Sequence, residues 1–177
     1  MFSYLPANSL CRGNGMKLAL VCTSGGHFAT MKSLRAFWQD HERVWITHRD
    51  ADTSSLEKWG EVVYWIPYQA PRNLMDLIRN LPATFRILRG ESPELVISTG
   101  ASVAVNFGFA AKILGMRFMY VESISRSTDL SLSGKLVYPI CDEMYVQWAS
   151  LCKRYPKAKF QGYALQNFVE KTENNRC

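Results

Sequence analysis

Two ionisable side chains in this chain stand where an α/β protein usually places its chemistry, Glu122 and His27. Glu122 follows the apolar run Met116 to Val121, which reads as a buried strand, and it is followed by Ser123-Ile124-Ser125-Arg126. A carboxylate at the carboxyl end of a parallel strand lies on the edge where open sheets take their ligands. Beside apolar residues it suits a general base that accepts a proton from an attacking hydroxyl. An ion pair with Arg126 or Arg117 is the structural alternative. His27 opens a helical pattern, where an imidazole can act as the base, donate to a phosphate oxygen, or only cap the helix.

Ahead of His27, the turn Ser24-Gly25-Gly26 places backbone N–H groups at a helix N-terminus, an arrangement that favours an anion such as a pyrophosphate. Glycine lets the backbone approach such a ligand closely. Ser98-Thr99-Gly100-Ala101 repeats this logic after another apolar run. The G-x-G-x-x-G dinucleotide fingerprint is absent, which counts against nicotinamide chemistry. The spacing therefore points to anion binding and proton transfer at one edge.

Those turns need a sheet to bring them together. The apolar runs Leu18–Cys22, Val44–Thr47, Val62–Ile66, Leu95–Ser98, Met116–Val121 and Glu143–Val146 read as strands, with a last short one near Phe160. Between them lie helical patterns: Phe28, Met31, Leu34, Phe37 and Trp38; Asn73 to Arg89; Ser102 to Leu114; Leu130 to Tyr138; and Ala149 to Tyr155. His48 to Ser55 reads as a polar loop, and Pro82 should kink or split the helix that holds it. The alternation predicts an α/β fold, Rossmann-like, with a mostly parallel sheet covered by helices on both faces. The turns after the first, fourth and fifth strands then share the carboxyl edge.

With 177 residues and 47% apolar content, the chain suits one domain. The expected division is a flexible leader over 1–16, the domain over 17–165 and a polar tail over 166–177. The leader lacks the apolar core of a secretory signal. No apolar run approaches the ~20 residues of a membrane span. The net charge of +6 favours an anionic partner. Nucleic acid is disfavoured, because no basic-aromatic platform or recognition motif accompanies the charge. The five cysteines form no C-x-x-C pair and the three histidines are scattered, so neither a metal nor a cofactor is expected. Arg72, Arg79 and Arg86, seven apart on the Asn73–Arg89 helix and the residue before it, suit anionic lipid headgroups, with Leu and Phe side chains dipping into the interface.

Four separated stretches also resemble one family. They are Tyr120-Val121-Glu122-Ser123-Ile124-Ser125-Arg126, Leu130-Ser131-Leu132-Ser133-Gly134-Lys135-Leu136, Tyr145-Val146-Gln147-Trp148 and Lys153-Arg154-Tyr155-Pro156-Lys157-Ala158. Together they resemble the acceptor-side, membrane-recruiting subunit of the split UDP-GlcNAc transferase of dolichol-linked oligosaccharide synthesis, and its bacterial exopolysaccharide counterparts of the PssD type. The resemblance spans about residues 17 to 165 and includes both glycine turns.

It implies the N-terminal half of a GT-B glycosyltransferase whose UDP-sugar-binding half is a separate small protein. The expected activity is inverting transfer of a sugar, GlcNAc or a related one, to a polyprenyl-diphosphate-linked acceptor, with little activity in the isolated chain. Ser24, Gly25, Gly26, Ser98, Thr99, Gly100, Ala101 and Arg126 would hold the acceptor diphosphate, with Glu122 the preferred base and His27 near the accepting hydroxyl. Met1 to Gly15 does not resemble the N-terminal span of eukaryotic members, so peripheral attachment at the cytoplasmic membrane face is expected. A non-catalytic scaffold that activates the partner transferase is the rival reading.

Overall fold

The computed structural model describes residues 15–69 and 73–164. Seven strands form one sheet: β1 (Lys17–Val21), β2 (Glu42–Thr47), β3 (Val63–Trp65), β4 (Leu95–Ser98), β5 (Arg117–Val121), β6 (Glu143–Val146) and β7 (Ala158–Phe160). Their order is β3-β2-β1-β4-β5-β6-β7, and every neighbouring pair is parallel. Each crossover is made by a helix or a pair of them: α1 (Gly26–Ser33), α2 (Arg35–Trp38), α3 (Ser55–Lys58), α4 (Leu74–Glu91), α5 (Ser102–Ile113), α6 (Leu132–Val137) and α7 (Ser150–Arg154). The strand order reverses between β1 and β4, and such a switch point opens a crevice at the carboxyl ends of the strands.

The strands read as near-continuous apolar runs because both faces are covered. Ala19, Val21, Val96, Phe118 and Tyr120 point into one core, which contains buried residues of α4, α5 and α6. Leu18, Leu20, Trp45, Ile97 and Met119 point into the other, with Phe28, Met31 and Trp38. Small residues let α5 lie close to the sheet. A Cβ on Gly108 would stand 2.7 Å from Phe118 Cε1, so a larger residue there would push the helix off β5.

Several expectations need correction. The helix after Gly25 is not continuous to Trp38. The Trp38 indole N–H donates to the Met31 carbonyl at 2.8 Å, and the Leu34 N–H turns back to that carbonyl at 3.1 Å, which tightens the chain between α1 and α2. The polar loop after His48 leads into the short helix α3. Pro82 does not split α4, which runs from Leu74 to Glu91. Pro82 is exposed, so its ring faces water, while the Asn106 amide of α5 donates to the Leu77 carbonyl at 2.9 Å and pins the turn before it. The last strand ends at Phe160 rather than starting there. Arg72, the 1–14 part of the leader and the tail lie outside the described residues.

Candidate active site

A cleft of about 670 Å³ lies at the carboxyl edge of the sheet, over the switch point. Its lining follows the strand order. Tyr68 and Gln69 follow β3, His48 follows β2, Ser24 and His27 follow β1, Ala101 and Ser102 follow β4, and Glu122, Ser123, Ser125, Arg126 and Ser131 to Ser133 follow β5. Of the residues expected to form a site, Ser24, His27, Ala101, Glu122 and Arg126 therefore converge.

His27 is fixed by two hydrogen bonds across the switch point. Its Nδ1 is 2.6 Å from the Thr99 carbonyl, and the Thr99 hydroxyl donates to the His27 carbonyl at 2.7 Å. A carbonyl only accepts, so Nδ1 carries the proton and the neutral ring keeps its lone pair on Nε2. Gly100 makes this approach possible, since a Cβ there would stand 2.7 Å from His27 Cε1. Ser98 and Thr99 are fully buried behind the turn, with the Ser98 hydroxyl 3.4 Å from the Gly100 N–H.

The two glycine turns differ. At the start of α1 the Gly25 N–H donates to Asp52 Oδ2 at 2.7 Å, so a carboxylate already occupies that anion position. Ser24 lies 3.0 Å from His48 Nε2, and its hydroxyl holds the Asp50 carboxyl below the usual carboxylate range. Asp50 is 3.8 Å from the same His48 nitrogen. A nucleophile–histidine–carboxylate relay needs the acid on the opposite ring nitrogen, so Ser24 is not an activated nucleophile.

At α5 no side chain caps the first turn and no acidic residue lies in it. Ala101 is held at φ 66° and ψ −178°, a region that is nearly glycine-only. Ala101 and Ser102 at this terminus line the cleft together with Arg126.

Glu122 is 1% exposed and both of its oxygens are used. Oε1 accepts from the Ser123 N–H at 2.8 Å, and Oε2 accepts from the Ser131 N–H and hydroxyl, each at 2.9 Å. Ser131 Oγ in turn accepts from the Gly134 N–H at 3.0 Å and caps α6. The partners are serines of its own loop, not Arg126 or Arg117. Beneath them the Tyr120 hydroxyl lies 3.1 Å from Ser131, and burial, reinforced by the Glu122 charge, pushes its pKa up.

Sequence reasoning missed His48, Tyr68, Gln69 and Ser102. The signal was available for His48, which directly follows a strand on the same edge. The others depend on how β3 and α5 fold back over the cleft. The Gln69 side chain is 3% exposed with neither amide atom partnered among the described residues, and the Ser102 hydroxyl donates to the Gln69 backbone carbonyl at 3.5 Å.

The seven-stranded parallel sheet with helices on both faces defines a fold class, the Rossmann-like fold of GT-B proteins. MurG of Acinetobacter baumannii superposes with a TM-score of 0.63 at 16% identity, over 76% of this chain and 42% of its own. The Staphylococcus aureus MnaA–UDP structure does so at 0.71 and 16%, over 89% and 48%. In both, the chain spans less than half of the protein matched. Residues 72–164 match the family described as "Oligosaccharide biosynthesis protein Alg14 like", and the chain belongs to that family. Its relatives include the UDP-N-acetylglucosamine transferase subunit ALG14 of Yarrowia lipolytica, 27% identical over 91% of this chain and 84% of the relative. The human protein of that name is 31% identical over 52% of this chain and 45% of its own.

Proposed function

We propose that this chain is the acceptor-side subunit of an inverting UDP-sugar glycosyltransferase, working with a separate donor-binding subunit on a polyprenyl-diphosphate-linked sugar. The observation that carries this reading is a cleft at a switch point, lined by His27, the start of α5 and Arg126, in a chain that matches less than half of each GT-B-fold protein it superposes on. His27 Nε2 is the base that takes the acceptor hydroxyl proton, because its tautomer is set by Thr99 and no described group hydrogen-bonds that nitrogen. Glu122, with both oxygens engaged, holds the Ser123–Ser131 loop and the start of α6 in place. The acceptor diphosphate lies on the α5 terminus, formed by Gly100, Ala101 and Ser102, with Arg126 offsetting its charge. Use of the α1 turn, Ser24 to Gly26, requires Asp52 to move aside.

The test is reconstitution. The purified chain should not transfer sugar from a UDP-sugar to the lipid acceptor, and adding the donor-binding subunit should restore transfer. Robust turnover by the chain alone would refute the split. A non-catalytic scaffold would instead tolerate loss of His27.

Membrane attachment through α4 is part of the same proposal. Among the described residues no helix is long and apolar enough to cross a membrane. Leu77, Phe85 and Leu88 face the core, contrary to their expected role at the interface, while Met75, Ile78, Arg79 and Arg86 are exposed. Arg86 and Arg89 also border a shallow groove with Pro82, Phe85 and Ile113. Each arginine near an anionic surface contributes about 1 kcal/mol. Replacing Arg79 and Arg86 with Gln should reduce sedimentation with anionic vesicles, as should added salt. Unchanged sedimentation would mean that another surface binds.

A further inference from the structure

The lining of the cleft changes character along the sheet edge, and its far rim is apolar. From β3 to β1 it presents Tyr68, Gln69, His48, Ser24 and His27, which are aromatic or polar groups with no lysine, arginine or carboxylate among them. At β4 and β5 it presents the α5 terminus, serines, Glu122 with both oxygens engaged by Ser123 and Ser131, and Arg126, which is the one lysine or arginine among the described lining residues. Beyond Arg126, the rim is formed by Leu132, which lines the cleft yet is 57% exposed. Leu136 follows one turn later on the same face of α6 and is 45% exposed. The charge between them is neutralised, since Lys135 pairs with Asp129 at 2.5 Å.

We propose that the polyprenyl chain of the acceptor leaves the cleft across α6, over Leu132 and Leu136. This rests on the acceptor reading above. A glycosyl diphosphate carries its lipid on the phosphate, so the order sugar, diphosphate, isoprenoid must be matched by the wall that binds it. The wall has that order, because strands about 4.8 Å apart set it, and β1 to β5 spans two such steps or ~10 Å. At the opposite end the Tyr68 ring sits edge-on to His48 at 5.1 Å, beside the polar groups that suit the sugar. The strip is held rigidly, since Ser131, the cap of α6, is tied to Glu122 through its N–H and hydroxyl.

The experiment compares two acceptors with the same sugar diphosphate in the same micelles, one with a full-length polyprenyl chain and one with a single isoprene unit. The assembled two-subunit complex is assayed with wild-type chain, Leu136→Gln and the Leu132→Gln/Leu136→Gln pair, and partner binding is measured alongside. Losing contact with exposed leucines should lower the long-chain to short-chain ratio of kcat/KM about tenfold in the double variant. An unchanged ratio overturns the proposal, whether both activities persist or both fall together. Equal falls with lost partner binding would assign the strip to the donor-binding subunit. A wild-type complex that uses neither acceptor would overturn the acceptor reading itself, and this proposal with it.

Discussion

His27 and Thr99 grip each other twice across the point where the strand order reverses, ring nitrogen to carbonyl at 2.6 Å and hydroxyl to carbonyl at 2.7 Å. One residue opens α1 just after β1 and the other belongs to the turn after β4, so the pair ties together the two walls of the crevice. The same contact that fixes the fold there also fixes the tautomer of the imidazole. The absence of a Cβ at Gly100 is what lets the ring fit.

Glu122 should behave as a structural residue. Glu122→Gln places an amide N–H₂ where the Ser123 or Ser131 donors now point, and loss of a charge-assisted contact costs about 1.5–3 kcal/mol. Thermal unfolding should show that loss, while kcat of the assembled complex should fall by less than about tenfold, well short of what removing a base would do. Gly134→Ala provides an independent check, because its Cβ would stand 2.3 Å from Glu122 Oε2 and should destabilise the chain by about 1–3 kcal/mol. A hundredfold loss of turnover in Glu122→Gln at unchanged stability would return the role of base to the carboxylate.

Ala101 carries strain that glycine would relieve. Its conformation costs of order 1–3 kcal/mol, and the extra unfolded-state entropy of glycine returns about 0.5–1 of that. Ala101→Gly should therefore raise stability by about 1 kcal/mol, read as an upward shift in the denaturant midpoint. It should also weaken acceptor use, because the α5 terminus is no longer held in one orientation. A destabilised Ala101→Gly variant would show that the strained geometry is not present in solution.

The sheet was legible because its strands are continuous apolar runs; Leu18 to Val21, Leu95 to Ile97 and Phe118 to Val121 are all buried. With parallel pairing inferred from the alternating helices, the convergence of His27, Ala101 and Glu122 on one edge followed. What remained hidden lies in contacts between residues distant in the chain. Asp52 reaches Gly25 across a loop, Trp38 folds back on Met31, and Asn106 steadies the turn before Pro82. None of these leaves a periodic pattern. The serine partners of Glu122 were present in the quoted motifs, but only the folded loop shows Ser131 returning to the carboxylate nine residues earlier. The inward turn of Leu77, Phe85 and Leu88 was visible as helical spacing, yet spacing alone does not say which face meets the sheet.

The central claim is that His27 takes the proton of the acceptor hydroxyl, and the most direct measurement is single-turnover transfer by the complex assembled with His27→Ala. A well-placed general base contributes about 10²–10⁴-fold. The account predicts a loss in that range with partner binding and folding retained. Near-normal turnover by the assembled variant would contradict it and place the base in the other subunit.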